Sequence, residues 1–194
     1  MATLGAFFDA NVLYPSGLRN FLMHLALTGI FRAHWSAKVH DEWMRNLLKN
    51  RPDLSWDKLE RTRRLMEKAL PDAMVVGFEP LIPSLELPDR DDRHVLAAAI
   101  HCGADVIVTA NLGDFPRSAL AHYDIHSQHP DDFVMELYDN FPDLVVKAAN
   151  QHRASLRNPA KSVDEYLDEL YRQGLMKSVT VLWGRIEDRF TSPA

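Results

Sequence analysis

Apolar residues follow two rhythms along this chain. The first is the short unbroken run. L-G-A-F-F-D-A (4–10), M-V-V-G-F (74–78) and V-I-V-T (106–109) suit strands buried on both faces of a parallel sheet, and a short fourth strand is expected near Tyr123–His126. The second rhythm is helical. Leu18, Phe21, Leu22 and Leu25 share one face of a helix that Gly29 stops, and Val39, Trp43 and Leu47 share a face of another that starts near Ser36, a good N-cap. A third helix spans 55–70 and is closed by Pro71; a fourth follows a cluster of aspartates and stops at Gly103. Strands separated by amphipathic helices call for right-handed parallel crossovers. The expected fold class is α/β: a three-layer α/β/α sandwich on a parallel sheet of four to five short strands.

From Pro130 onward the pattern is wholly helical. Pro130 and Pro142 stand like first-turn prolines, and S-V-D-E at 162–165 reads as a capping box. A last helix after Gly174 carries Leu175, Val179, Leu182, Trp183 and Ile186 on one stripe that must pack on something. The expected division is a domain over 1–130 and a helical C-terminal extension over 131–194.

Composition narrows the function classes. With 194 residues, 46% hydrophobic and 25% charged, the chain supports one full core and an elaboration. It opens on no basic, then apolar, leader, and no window nears the roughly 18 apolar residues of a bilayer span, so a cytoplasmic protein without membrane contact is expected. The single cysteine, Cys102, excludes an intrachain disulfide and a sulfur-rich zinc site, and reads as a buried helical thiol. A net charge of −5 excludes indiscriminate polycationic binding of nucleic acid, so any such chemistry must come from local arrangement.

The acids offer that arrangement. In an open parallel sheet, ligands bind beyond the carboxyl ends of the strands. Asp9 ends the first run, Asp114 lies in the loop after the third, and P-D-R-D-D-R-H-V-L-A-A-A (88–99) opens the helix between the second and third. Any one of these reads equally as a cap or turn residue. Gathered at one edge, several carboxylates repel one another unless a cation neutralises them. Asp92 shares a helical face with Val95, Leu96 and Ala99, the side that must be buried; Asp91 is rotated about 100° away, and Asp89 stands where the cap belongs. On the second helix Asp41 and Glu42 compete, and periodicity leaves the choice open. Carboxylates without cysteine or trusted histidine companions make an all-oxygen site suited to Mg²⁺ or Mn²⁺, the chemistry of phosphate-ester hydrolysis. Asn11, Asp91, Thr109 and Asn111 are the candidates to orient ligands or water. His94, His101, His122, His126 and His129 show no metal-ligand spacing and read as core or surface residues. The basic third helix, with Arg45, Lys49 and Arg51, reads as a solvated face or as a guide for a polyanion.

Four stretches in order, F-F-D-A-N-V-L (7–13), W-S-A-K-V-H-D-E-W (35–43), D-D-R-H-V-L-A-A-A (91–99) and V-I-V-T-A-N-L-G-D-F-P (106–116), resemble the PIN-domain ribonucleases, in particular the toxins of bacterial toxin–antitoxin pairs. The likeness covers about the first 130 residues. It implies Asp9, Glu42, Asp92 and Asp114 as the catalytic, metal-holding acids, and so favours Glu42 over Asp41. It also implies Mg²⁺- or Mn²⁺-dependent cleavage of single-stranded RNA, an antitoxin partner and a homodimer. The tail exceeds the minimal domain; covering the site, dimerising and binding an antitoxin are its alternative roles. Two rival readings remain. A haloacid-dehalogenase-type phosphohydrolase would use Asp9 as nucleophile, but Asn11 stands where its second acid belongs. An inactive module binding an antitoxin or RNA would use the acids only as caps.

Overall fold

Five short strands pair in one all-parallel sheet in the order β3-β2-β1-β4-β5 in the computed structural model, which describes residues 3–186. They are β1 (Gly5–Phe8), β2 (Arg32–Ser36), β3 (Met74–Val75), β4 (Val106–Val108) and β5 (His126–Gln128). β1 is central. Its Gly5, Ala6 and Phe7 stand opposite Arg32, Ala33 and His34 of β2, and its Ala6, Phe7 and Phe8 opposite Val106, Ile107 and Val108 of β4. All of β1 is buried, as expected of a strand covered on both faces. Ten α-helices and four short 3₁₀ turns are described beside the strands, the α-helices being α1 (Ala10–Leu13), α2 (Ser16–Ala26), α3 (Ala37–Asn50), α4 (Trp56–Ala69), α5 (Arg93–Cys102), α6 (Arg117–Leu120), α7 (Pro130–Asn140), α8 (Pro142–Ser155), α9 (Val163–Arg172) and α10 (Met176–Leu182). The expected α/β sandwich with C-terminal helices is therefore the observed fold, and no described helix is long and apolar enough to cross a membrane.

The alanines of α5 let that helix lie close on the sheet: Ala97, Ala98 and Ala99 are fully buried, and the helix touches β1, β2, β3 and β4. From β1 the chain steps outward to β2 and β3, then crosses back to β4 and on to β5. The direction of winding reverses between β1 and β4, and the carboxyl ends of the strands on either side of such a reversal frame a crevice. Asp9 follows β1 directly and Thr109 follows β4.

Several elements differ from the sequence reading. β2 is a strand where only a helix start was expected, because the alternation R-A-H-W-S hides buried Ala33 and Trp35 between polar neighbours. Ser36 both ends β2 and caps α3, its Oγ accepting from Val39 N at 3.3 Å. β3 shrinks to two residues, since Val76 is exposed and Gly77 turns with φ 81°. β5 starts later than expected, after Asp124 makes a left-handed turn at φ 56°. Helix α5 begins only at Arg93, so Asp89 does not cap it; its carboxylate accepts from Asp91 N at 2.8 Å and closes a turn before the helix. Cys102 is half-buried rather than buried, and Trp183 leaves the buried stripe of Leu175, Val179, Leu182 and Ile186 to face solvent.

The chain forms two compact units. One joins the residues up to Tyr14 with Phe31–His129; the other joins Pro15–Ile30 with the segment from Pro130. In the second, α2 packs on α8 and α9, and α10 on α7 and α9, so the N-terminal helix α2 belongs with the tail helices. Residues 187–194 of the expected extension lie outside the described residues. His152 is buried there, stacked near His24 and Phe21 with its Nδ1 3.1 Å from the Tyr166 hydroxyl, and burial lowers its pKa to about 3. The capping box expected at Ser162 and Glu165 is present. Asp131 of α7 accepts from Lys177 N at 2.8 Å and from Ser178 N and Oγ at 2.9 and 2.6 Å, supplying the start of α10 with acceptors. Asp131→Ala leaves these donors unpaired in a buried place, and urea unfolding should record a loss of about 2 kcal/mol.

Candidate active site

Asp9 anchors the site. Its backbone NH donates to the carbonyl of Val108, tying it to the end of β4 at 3.1 Å, and its side chain is nearly buried. Oδ1 accepts from Ala10 N at 2.6 Å and so caps α1; Oδ2 accepts from Thr109 Oγ at 2.8 Å and from Asn11 Nδ2 at 2.6 Å. Asn11 reaches across again, its Oδ1 accepting from Ala110 N at 3.0 Å. Thr109 Oγ also accepts from Asn111 N at 3.0 Å. Burial raises the Asp9 pKa, the bonds from Thr109 and Ala10 oppose that rise, and Glu42 adds to it.

Glu42 and Asp41 point to different neighbours. Asp41 lies 3.7 Å from Arg63 of α4 and 4.0 Å from Arg45. Glu42 lines the cleft that holds Asp9, and its Oε1 lies 2.9 Å from Nε2 of His94. A carboxylate only accepts, so Nε2 carries the hydrogen. His94 is 1% exposed and its ring is clamped by the core, which fixes one oxygen of the half-buried Glu42. Periodicity left these two acids tied; the ion pairs of α4 separate them.

Asp92 and Asp91, at the entry to α5, both line the same cleft, as does Asp114 in the single 3₁₀ turn Leu112–Asp114 after β4. Asn111 Nδ2 donates to Asp114 Oδ2. Asp92 makes no capping bond and is half-buried, and its pKa is pushed up to about 7, first by burial and then by the charges of Asp9, Asp114, Asp89 and Glu42. The structure thus brings Asp9, Asn11, Glu42, Asp91, Asp92, Asn111 and Asp114 to one cleft of about 480 Å³, with Thr109 bonded beneath. Its lining includes five carboxylates and no lysine or arginine.

Four residues of this region escaped the sequence reading. His94 looked like an ordinary core histidine, and only its spacing of two from Asp92 placed it near the edge. Tyr14, Asn46 and Asn50 line the cleft as well. Asn46 and Asn50 follow Glu42 at i+4 and i+8, a helical spacing visible in the sequence.

The donor set fits a hard divalent cation. All charged groups facing the cleft are oxygens, and their mutual repulsion calls for positive charge that no side chain of the lining supplies. Among the described residues no three acids, histidines or cysteines gather into a ready-made metal cage.

The chain has relatives among known proteins. The chain belongs to the PIN domain family, which matches residues 6–113, and the family likeness of the four sequence stretches is borne out. A second family, described as the VapC50 C-terminal domain, matches residues 130–182. Among curated proteins, "Putative ribonuclease VapC50" of Mycobacterium tuberculosis is 38% identical over 93 residues, which is 46% of this chain and 54% of that relative. The chain thus spans about half the length of the curated relative it matches. No solved structure matches it.

The raised pKa of Asp92 has a consequence for stability. The folded state holds this proton more tightly than the unfolded chain, so the charge penalty begins above the ordinary value of 3.8 and is complete above about 7. Without divalent cation, Asp92→Asn should therefore melt at a higher temperature than wild type at pH 8, and the gap should close below about pH 4. Scanning calorimetry in chelator at the two pH values checks this; partial exposure of the carboxyl keeps the gap modest.

Proposed function

We propose that the chain is a metal-dependent endoribonuclease that hydrolyses phosphodiester bonds of single-stranded RNA, the toxin of a toxin–antitoxin pair acting in the cytoplasm. The observation that carries this reading is the cleft itself: five carboxylates and no cationic side chain at the carboxyl ends of β1 and β4. Such a surface repels a phosphodiester unless a cation lies between them. The chemistry that Mg²⁺ or Mn²⁺ would supply, held there, is a lowered pKa of bound water and neutralised charge on the phosphate. Asp9, Asp92 and Asp114 are the residues to hold the ion, and Glu42 either holds a second ion or draws a proton from the attacking water. Thr109 and Asn11 aim Asp9, Asn111 aims Asp114, and His94 aims Glu42. Asp91 adds negative charge at the rim. The relative's name as a putative ribonuclease and the PIN domain match support the substrate class.

In this reading residues 1–130, apart from α2, which packs with the tail helices, form the nuclease domain, and 131–194 are an extension whose roles are antitoxin binding or pairing with a second copy. The match of 130–182 to a family named for VapC50 supports reading the tail as part of the same design.

Purified protein should cut single-stranded RNA only with added Mg²⁺ or Mn²⁺, and Asp9→Asn should abolish the cutting. Full activity in chelator would sink the proposal. Titration with Mn²⁺ separates the nuclease from an inactive binding module: saturable binding is expected in wild type and should vanish in Asp92→Ala. His94→Phe removes the group that aims Glu42, and should weaken Mn²⁺ binding or turnover about 10- to 100-fold with the protein still folded. Unchanged Mn²⁺ affinity and turnover in that variant would remove His94 from the site.

A further inference from the structure

The cleft has two halves of different chemistry. One holds the carboxylates; the other is walled by Tyr14, Asn46 and Asn50, none of them charged. Asn46 and Asn50 stand one and two turns beyond Glu42 on α3, about 6 and 12 Å along the helix axis. Asn50 Nδ2 donates to the Tyr14 hydroxyl at 3.1 Å, which braces the phenol and that amide against each other. The side chain of Asn46 makes no hydrogen bond among the described residues, so its amide oxygen and its NH₂ are both available to an occupant of the cleft.

A phosphate held at the acidic half leaves the rest of its nucleotide to lie along this neutral wall. Arginine and lysine, which hold phosphates by charge, do not line the cleft, and asparagine and tyrosine serve sugar and phosphate as well as bases. An amide with a donor and an acceptor side by side matches the edge of a base, and an aromatic ring offers the base a face. We infer that Asn46, with the Tyr14–Asn50 pair beside it, forms a pocket for one unpaired nucleobase next to the phosphate at the acids, and thereby selects where along a strand the cut falls. The inference rests on the nuclease reading above and deepens it. It also gives the single-strand requirement a cause, since only an unpaired, unstacked base presents edge and face together.

The test uses the full chain with Mn²⁺ and a pool of single-stranded RNA oligonucleotides randomised in sequence, the cut ends being sequenced. Wild type should favour one base at a fixed position beside the cut by about tenfold or more, the scale of one bidentate base contact. Asn46→Ala, at an exposed position that the fold tolerates, should level that preference. An abasic substitution at the same nucleotide should slow wild type by the factor that Asn46→Ala slows cutting of the intact strand, and the two losses should not add. An unchanged base preference in both Asn46→Ala and Tyr14→Ala overturns the inference, as do additive losses. Loss of discrimination between ribose and deoxyribose, with base preference kept, assigns the wall to the sugar and also overturns it. If folded wild type with Mn²⁺ cuts no RNA at all, the nuclease reading falls first and this inference with it.

Discussion

Mutual repulsion among carboxylates is the constraint around which the first unit is arranged. Acids that would drift apart in water are held at one crevice by bonds that leave each little freedom. Asp9 is fixed by Thr109, Asn11 and the amide of Ala10, Glu42 by His94, and Asp114 by Asn111. Asp92 has no such bond and takes up the conflict, so that its proton is held to about pH 7. The fold supplies the fixed points: β1 and β4 lie side by side in the middle of the sheet, and the residues just past their ends carry the anchoring bonds.

That arrangement spends folding energy on a site. Like charges held together in a half-buried cleft are worth nothing to an apo protein, and natural sequences keep such conflicts where function needs them. The alanine-rich α5 shows the other side of the exchange. Its middle, His94–Ala99, is buried, so that the helix can lie tight on four strands while Asp92, just before its first turn, stands at the rim.

Much of this was legible in the chain. Unbroken apolar runs announced β1 and β4, and the order of strands and helices announced the α/β class. The buried stripe of α5 singled out Asp92 at its head, though the cleft takes in Asp91 as well. Strand β2 was hidden because His34 and Arg32 interrupt its apolar positions and because Ser36 has two jobs at once. Asp41 and Glu42 could not be told apart locally, since what separates them is Arg63 on another helix. Asn46 and Asn50 follow Glu42 at the same helical spacing that ranks the acids, but an uncharged amide on a helix carries no mark of a site in the sequence. His94 needed the tertiary structure, because a buried histidine in a helix is usually just packing.

The second unit is discontinuous in the chain: α2 is made early, between β1 and β2, yet its packing partners α8 and α9 come more than a hundred residues later. During synthesis the apolar face of Leu18, Phe21, Leu22 and Leu25 must therefore wait while the whole sheet emerges. Closing so long a loop is slow but adds little to its thermodynamic cost, because the entropy grows only with the logarithm of length. The order of emergence thus makes completion of the C-terminal helices the event that shelters α2, and a ribosome stalled after β5 would display a sticky helix beside strands already able to pair.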